Sequence, residues 1–161
     1  MRALTDLESH NEKFLKERGI HFAMVLMTDN IISHHIFDAT RSIDRFLKEE
    51  GVHDFNSQSG GEKRYISTHL LTFKRELIIN TSVYKAAKRG DKRMWFGSEI
   101  LPTTLSNDIY ILMAKAGELY ILNMSHIDIM SCLTTGIDNP IKQFLLNFSC
   151  HNQLDKTELT E

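Results

Sequence analysis

Two apolar runs joined by a small, turn-prone segment constrain the fold of this chain most strongly. Residues 107–125 read NDIYILMAKAGELYILNMS, with AKAGE between two runs rich in β-branched and aromatic residues. This pattern is typical of a β-hairpin. It predicts two antiparallel strands at the centre of the protein.

A second strand-rich region spans residues 63–96, where side chains alternate in character. The alternation is carried by Tyr65, Ser67, His69, Leu77, Ile79, Thr81 and Val83. It predicts two strands, followed by a short third strand at RMWF, residues 93–96. Between the second and third strands, residues 85–93 read KAAKRGDKR, which predicts a basic turn containing a glycine.

Helical patterns lie on both sides of this region. Apolar residues among charges at residues 3–18, ending at Gly19, predict an amphipathic helix, and the apolar run after it predicts a strand stopped by Asp29 and Asn30. Residues 51–62 are loop by composition. Further helices are predicted at residues 38–50 with Asp38 as N-cap, at 126–133, and at 140–148 with Asp138 or Asn139 as cap.

These elements predict one α+β domain over residues 1–150. Its central sheet is mainly antiparallel, could close into a barrel, and is flanked by N-terminal and C-terminal helices. A length of 161 residues with 42% hydrophobic residues suffices for one core. The charged tail at residues 151–161 is interpreted as the start of a linker to a following domain.

The chain has no predicted membrane segment and no signal peptide, so we expect a cytoplasmic protein with no membrane partner. Cys132 and Cys150 are far apart, and the eight histidines lack the usual ligand spacings. Neither a disulfide framework nor a metal site is predicted, and no cofactor is expected. Mg²⁺ is expected only if a nuclease domain is attached.

The net charge of −2 hides a strong segregation of charge along the chain. Residues 63–93 hold 9 of the 19 basic residues and only two acidic ones, whereas both flanking segments are acidic. In a strand-rich segment these cations project from a sheet face, its edge and its turns. The segregation predicts a polyanion site, with double-stranded DNA as the expected partner. Protection of edge strands by charge is the alternative explanation.

The predicted contacts lie on the basic turn and on the glycine-containing loop before it. Arginines can bind phosphate or guanine bidentately, a glutamine can bind adenine, and Gly90 permits a left-handed turn. Trp95 could stack on a base, although a lone tryptophan on a short strand is more often part of the core. The predicted DNA-binding residues are Gln58, Lys63, Arg64, Lys85, Lys88, Arg89, Lys92, Arg93 and Trp95.

The sequence carries no catalytic motif. No Asp or Glu has a lysine two positions later, as the local signature of a Mg²⁺-dependent restriction nuclease would require, and arginine cannot replace that lysine. A stand-alone nuclease using His53, Asp54 or His69 is the alternative function, and a protein-interaction module with an acidic partner is a third. The sequence is also compatible with a homodimer.

The segments HDFNSQSGGEKR, TSVYKAAKRGDKRMWFGSEI and NDIYILMAKAGELYILNMSHIDI occur in this order. Over roughly residues 35 to 135, the chain resembles the N-terminal domain found ahead of MvaI/BcnI-type restriction endonuclease domains in bacterial proteins. The resemblance implies a DNA-recognition or specificity domain in restriction-modification. It places nuclease chemistry in a following domain and assigns no catalytic residue here.

Overall fold

The structure is a computed structural model that describes residues 1–148. The strands are β1 (Ala23–Met27), β2 (Ile36–Asp38), β3 (Lys63–Leu71), β4 (Glu76–Lys85), β5 (Lys92–Phe96), β6 (Asp108–Lys115) and β7 (Glu118–Asn123). The helices are α1 (Asp6–Glu17), α2 (Asp29–His34), α3 (Arg41–Glu49), α4 (Ile129–Thr134) and α5 (residues 140–148).

The seven strands form one sheet in the order β1-β6-β7-β3-β4-β5-β2. Every neighbouring pair is antiparallel except β3 and β7, which run parallel. The sheet curls into a half-barrel. The predicted α+β fold, with a mainly antiparallel sheet flanked by N-terminal and C-terminal helices, is confirmed.

The inner face of the sheet carries the larger part of the core. Strand residues such as Val83, Met94 and Leu112 pack there against Phe46 and Leu47 of α3, all at most 1% exposed. Burying side chains of this size supplies most of the favourable free energy of folding. The hydroxyls of Thr68 and Thr81 also meet on this face, 2.6 Å apart, so they satisfy each other inside the core.

The outer face is covered over only half of its area. Helices α1, α4 and α5 pack on β1, β6 and β7 there, around Leu15, Ile111, Cys132 and Phe144. Cys132 is buried as a free thiol. The outer sides of β2, β4, β5 and the beginning of β3 are absent from this cluster and carry exposed side chains. Within residues 1–148, the sheet therefore has one surface that no helix covers, formed by the strands in which the positive charge is concentrated.

Side-chain caps set the beginnings of the helices. Thr5 and Glu8 form a capping box at α1, and Asn139 Oδ1 accepts a hydrogen bond from Lys142 N at α5. The predicted N-cap at Asp38 is wrong: Asp38 lies in β2, and Thr40 caps α3. The predicted strand before Asp29 is present as β1, and Thr28 caps the short helix α2, which was not predicted.

The predicted central hairpin is present as β6 and β7. Its turn residues Ala116 and Gly117 both have positive φ, 54° and 77°, which suits a tight connection between twisted strands. The predicted domain end at residue 150, the tail at residues 151–161 and Cys150 lie outside the described residues. Within residues 1–148, no helix combines the length and apolar character needed to cross a bilayer.

Candidate nucleic-acid interface

The uncovered half of the outer face holds a groove of about 540 Å³. Its floor and walls come from β3, β4, β5, β2 and the residues that follow β5. Because side chains alternate between faces along a strand, alternate residues from the beginning of β3, the second half of β4 and β5 point into this groove. The strand register therefore fixes which side chains lie next to one another.

The register arranges the groove in three rows that cross the strands. The first, called the cationic row, is Lys63, Tyr84 and Arg93. The second, called the aromatic row, is Tyr65, Ser82 and Trp95. The third, called the amide row, is Asn80, whose register partner on β3, Ser67, does not line the groove. Ser82 is 3% exposed, so it forms the floor between the two aromatic side chains.

The aromatic side chains of the groove are open to solvent. Tyr65 is 67% exposed, with the Lys63 ammonium 6.0 Å from its ring centroid. Trp95 is partly exposed, and its ring lies 6.2 Å from that of His35. The commoner core role of a lone tryptophan is thus not the one found here, because β5 turns Trp95 toward the uncovered face. Two accessible rings on one polar surface form a stacking platform.

Arg93 is the groove cation with nearby carboxylates. Its Nη2 is 3.6 Å from Asp91 and its Nε is 3.9 Å from Asp38, and the side chain is 43% exposed. Exposed pairs at these distances are weak, so the guanidinium remains able to bind an anion.

The basic turn lies beside the groove, between β4 and β5. Gly90 has φ of 69°, the left-handed conformation expected for it, and its amide donates to Ala86 O at 3.0 Å. Lys88 and Arg89 are exposed at its tip and form no ion pair with any residue of the described chain. Their charge is therefore available to a polyanion.

The glycine-containing loop packs against this turn. The Gly61 amide donates to Lys85 O at 2.6 Å, and the Lys85 amide donates to Glu62 O at 3.3 Å. A Cβ at Gly60 would lie 3.2 Å from the Ala87 carbonyl oxygen, so a side chain there would require the basic turn to shift by a few tenths of an ångström. The two segments that were predicted to share a surface are adjacent.

Gln58 does not fit the predicted adenine contact. It is 4% exposed, and its Nε2 donates to Val83 O at 3.1 Å and to Glu62 O at 3.2 Å. His53 Nε2 donates to its Oε1 at 2.7 Å. Both the oxygen and the nitrogen of the Gln58 amide therefore have hydrogen-bond partners within the protein. Gln58 fastens the loop to the end of β4 and has no free amide group to offer DNA.

Arg64 and Lys85 also support the loop. Arg64 donates to Ser57 Oγ at 2.9 Å and to Ser57 O at 2.8 Å, and it pairs with Glu62. Hydrogen bonds from Arg64 and from the Ser59 amide lower the pKa of Glu62. Lys85 Nζ donates to Gln58 O at 3.4 Å. These two cations shape the site, whereas they were predicted to bind DNA directly.

Lys92 points to the opposite face from its neighbour Arg93. Its Nζ donates to Asp44 Oδ2 of α3 at 2.6 Å and lies 6.0 Å from the Phe55 ring centroid. This ion pair neutralises the charge that was predicted to bind phosphate. Lys92 therefore joins the sheet to α3.

The Lys92→Ala variant should lose stability while keeping DNA affinity. Removing the ammonium leaves Asp44, whose side chain is 25% exposed, without its partner, which we expect to cost about 1 kcal/mol after allowance for solvent screening. Urea unfolding measures this loss, and the dissociation constant for DNA, measured by titration, should change less than twofold. Lys63→Ala is the matched control, with the reverse result expected. A large affinity loss for Lys92→Ala would show that Lys92 contacts DNA.

The histidines considered for catalysis have structural partners. His53 is bonded to Gln58, as described above. His69 lies between Glu76 Oε2 at 2.9 Å and Glu118 Oε2 at 3.2 Å, and it stacks on Tyr120 with ring centroids 4.2 Å apart. Within residues 1–148, no group of three or more His, Cys, Asp or Glu side chains is placed to hold a metal ion.

Several groove residues were not predicted as contacts. Tyr65 was recognised only as part of an alternating strand, and Ser82, Asn80, Tyr84 and Glu99 were not selected. The alternation of β3 could have identified Tyr65, since a large aromatic residue stands on its polar side. The others required the strand register, which sequence alone does not provide.

Comparison of the chain with protein-family models, curated proteins and solved structures finds no match.

Proposed function

We propose that this chain is a DNA-binding domain that engages duplex DNA through the basic turn and the adjoining uncovered sheet face. The observation that carries the proposal is the combination of a sheet surface that no helix of residues 1–148 covers and of cations at its rim that are unpaired or only weakly paired within those residues. Lys88 and Arg89 stand at the tip of the basic turn, and Lys63 and Arg93 stand in the cationic row. Cations at these positions displace condensed counterions from phosphates.

The distribution of charge supports a polyanion as the partner. Proteins protect edge strands with charge, yet β4 and β5 have paired neighbours on both sides, so edge protection does not explain the cations of β5 and of the turn between the two strands. It can account only for Lys63 and Arg64, because β3 pairs with β7 over residues 68–70 alone. The acidic segments on either side of residues 63–93 would disfavour DNA elsewhere on the protein.

The resemblance to domains ahead of MvaI/BcnI-type nucleases supports a more specific role. We assign the chain to target or modification recognition in a bacterial, cytoplasmic restriction-type endonuclease, with cleavage performed by a following domain. Duplex DNA is then the natural ligand, because such an enzyme has to locate its site in double-stranded DNA.

Titration of a labelled 20-base-pair duplex over 50–200 mM salt tests DNA binding. The logarithm of affinity should fall linearly with the logarithm of salt concentration, and the Lys88→Ala, Arg89→Ala double variant should reduce the slope by about 2. Its affinity should also fall at low salt, because two phosphate contacts are lost.

A double variant of Lys13→Ala and Lys16→Ala on α1 is the matched control. It removes the same charge from exposed lysines that pair with Glu17 and Glu12 on the covered half of the protein. We expect its salt slope to equal that of the wild type. An equal loss in both double variants would mean that binding depends on net charge alone, and an absence of duplex binding would refute the proposed function.

A further inference from the structure

We infer that the groove accepts one unpaired nucleotide, stacked between Tyr65 and Trp95 with its phosphate on the cationic row. This inference rests on the proposed function and adds that the bound DNA presents a base outside its stack. The occupant is a single-stranded or extruded nucleotide, since the faces of bases inside a duplex are not accessible to side chains that project from a sheet.

The spacing across the strands suits one planar ring. Tyr65 and Trp95 lie on opposite sides of Ser82 in paired register, so their backbones are two strand spacings, or roughly 10 Å, apart. A base stacked between two rings needs about 7 Å, taking the base rise of DNA on each side. Ser82 lies between the rings as part of the lining of the groove, and its short side chain takes up little of the space between them.

The spacing along the strands suits the rest of a nucleotide. The cationic row and the aromatic row are two residues apart on each strand, a separation of roughly 7 Å. A base in the aromatic row therefore places its own phosphate near Lys63 and Arg93. The Lys63 ammonium already lies over the Tyr65 ring, which brings charge and stacking surface together.

The opposite end of the groove carries groups that can hydrogen-bond to a base edge. Asn80 is exposed, and its side-chain amide has no hydrogen-bond partner among residues 1–148. Glu99 lines the same groove, with its carboxylate over Gly97. An amide offers both a donor and an acceptor, and a carboxylate accepts from an exocyclic amine. Glu99 would repel a phosphate, so this end suits the base and the cationic end suits the backbone.

The order of cationic, aromatic and amide side chains distinguishes the groove from a surface for a protein partner. Protein interfaces usually have an apolar centre and a polar rim. This groove instead changes from cationic to aromatic to amide along one direction, so a base in the aromatic row has its phosphate at the cationic end and its polar edge at the amide end.

Trp95 makes a direct test possible because it is the only tryptophan of the chain. Three labelled DNAs of one sequence are titrated at 100 mM salt: a perfect duplex, the same duplex with one unpaired 2-aminopurine, and the single strand. We expect both unpaired forms to quench Trp95 emission and 2-aminopurine emission to fall on binding. The perfect duplex should bind with little change in Trp95 emission.

Variants identify the two rings. Tyr65→Ala should weaken binding of the duplex with the unpaired base by about 5- to 150-fold, the range for loss of one stacking ring, and that of the perfect duplex by less than twofold. Tyr65→Phe should restore binding because it retains the ring. Tyr65 is largely exposed, so its replacement leaves folding intact, as circular dichroism verifies. Phe73→Ala, at an exposed aromatic residue outside the groove, is the matched control.

The outcomes separate this inference from the proposed function. If all three DNAs bind equally and Trp95 emission is unchanged, or if Tyr65→Ala weakens all three equally, the unpaired-nucleotide inference is overturned and duplex binding stands. If no DNA binds, both fail. If the unpaired forms alone bind and Tyr65→Ala abolishes this, the groove inference holds and the duplex proposal fails.

Discussion

The stability of this protein at acid pH should depend strongly on Glu8. The Glu8→Gln variant should lose most of the fall in unfolding free energy that the wild type shows between about pH 4.5 and pH 2. The Glu8 side chain is 1% exposed and accepts hydrogen bonds from Arg2 Nη1 at 2.7 Å and Nη2 at 2.8 Å. Ser125 Oγ also donates to it at 2.6 Å. The hydrogen bonds from Arg2, with a further one from Ser125, lower the pKa of Glu8 to about 2.

The direction of the pH effect follows from this lowered pKa. A carboxylate with a lower pKa in the folded state stabilises the protein fully above its unfolded pKa, near 4.5. That stabilisation is lost as the pH falls toward 2, and it amounts to about 3 kcal/mol. The unfolding free energy of the wild type, measured with urea, should therefore fall by that amount between about pH 4.5 and pH 2. The Glu8→Gln variant should have a lower unfolding free energy than the wild type at pH 7. Its unfolding free energy should also depend less on pH, by the same amount.

Glu17→Gln is the matched control on the same helix. Glu17 is 65% exposed and lies 3.9 Å from Lys13, so its replacement should change the unfolding free energy by less than about 0.5 kcal/mol. If Glu8→Gln kept the acid dependence of the wild type, Glu8 would not be the group responsible.

Asn11→Ala should be the most destabilising single change of a polar residue on α1. Asn11 is fully buried, its Nδ2 donates to Met124 O at 2.9 Å and Ile127 O at 2.7 Å, and its Oδ1 accepts from Ile129 N at 3.0 Å. Alanine leaves these three backbone groups unpaired, at a cost of about 3 kcal/mol or more. Urea unfolding at pH 7 measures the loss.

Two further variants make the Asn11 result specific. Asn11→Asp keeps the size and the acceptor and removes the donors, so it should remain destabilised. Ser9→Ala changes an exposed residue on the same helix and should stay within about 0.5 kcal/mol of the wild type. A small effect of Asn11→Ala would mean that water replaces the lost amide.

Local pattern was sufficient to predict most of the elements. The alternation over residues 63–96 and the hairpin at residues 107–125 correspond to β3 to β7. Helix α2 was missed because it has no buried residue and spans only six positions, so it produces no apolar periodicity. Strand β2 is three residues long and exists through its pairing with β5, which a local pattern does not reveal.

The candidate site was predictable in region but not in detail. The charge segregation indicated residues 63–93, and Lys92 and Arg93 are equivalent in such a count. The sheet separates them, since one pairs with Asp44 on the inner side and the other lines the groove. The position of Gln58 was unpredictable for a similar reason: its partner carbonyl at Val83 is 25 positions away and becomes adjacent only in the folded sheet.

The alternation of β3, β4 and β5 has a consequence for how such a domain can diverge. Tyr65, Ser82 and Trp95 face the groove, and the residues that follow the first two, Ile66 and Val83, face the core. Substitutions can therefore accumulate on the groove side without disturbing packing on the other side. In descendants of this chain, ligand preference should change faster than the fold, with variation at every second position of these strands.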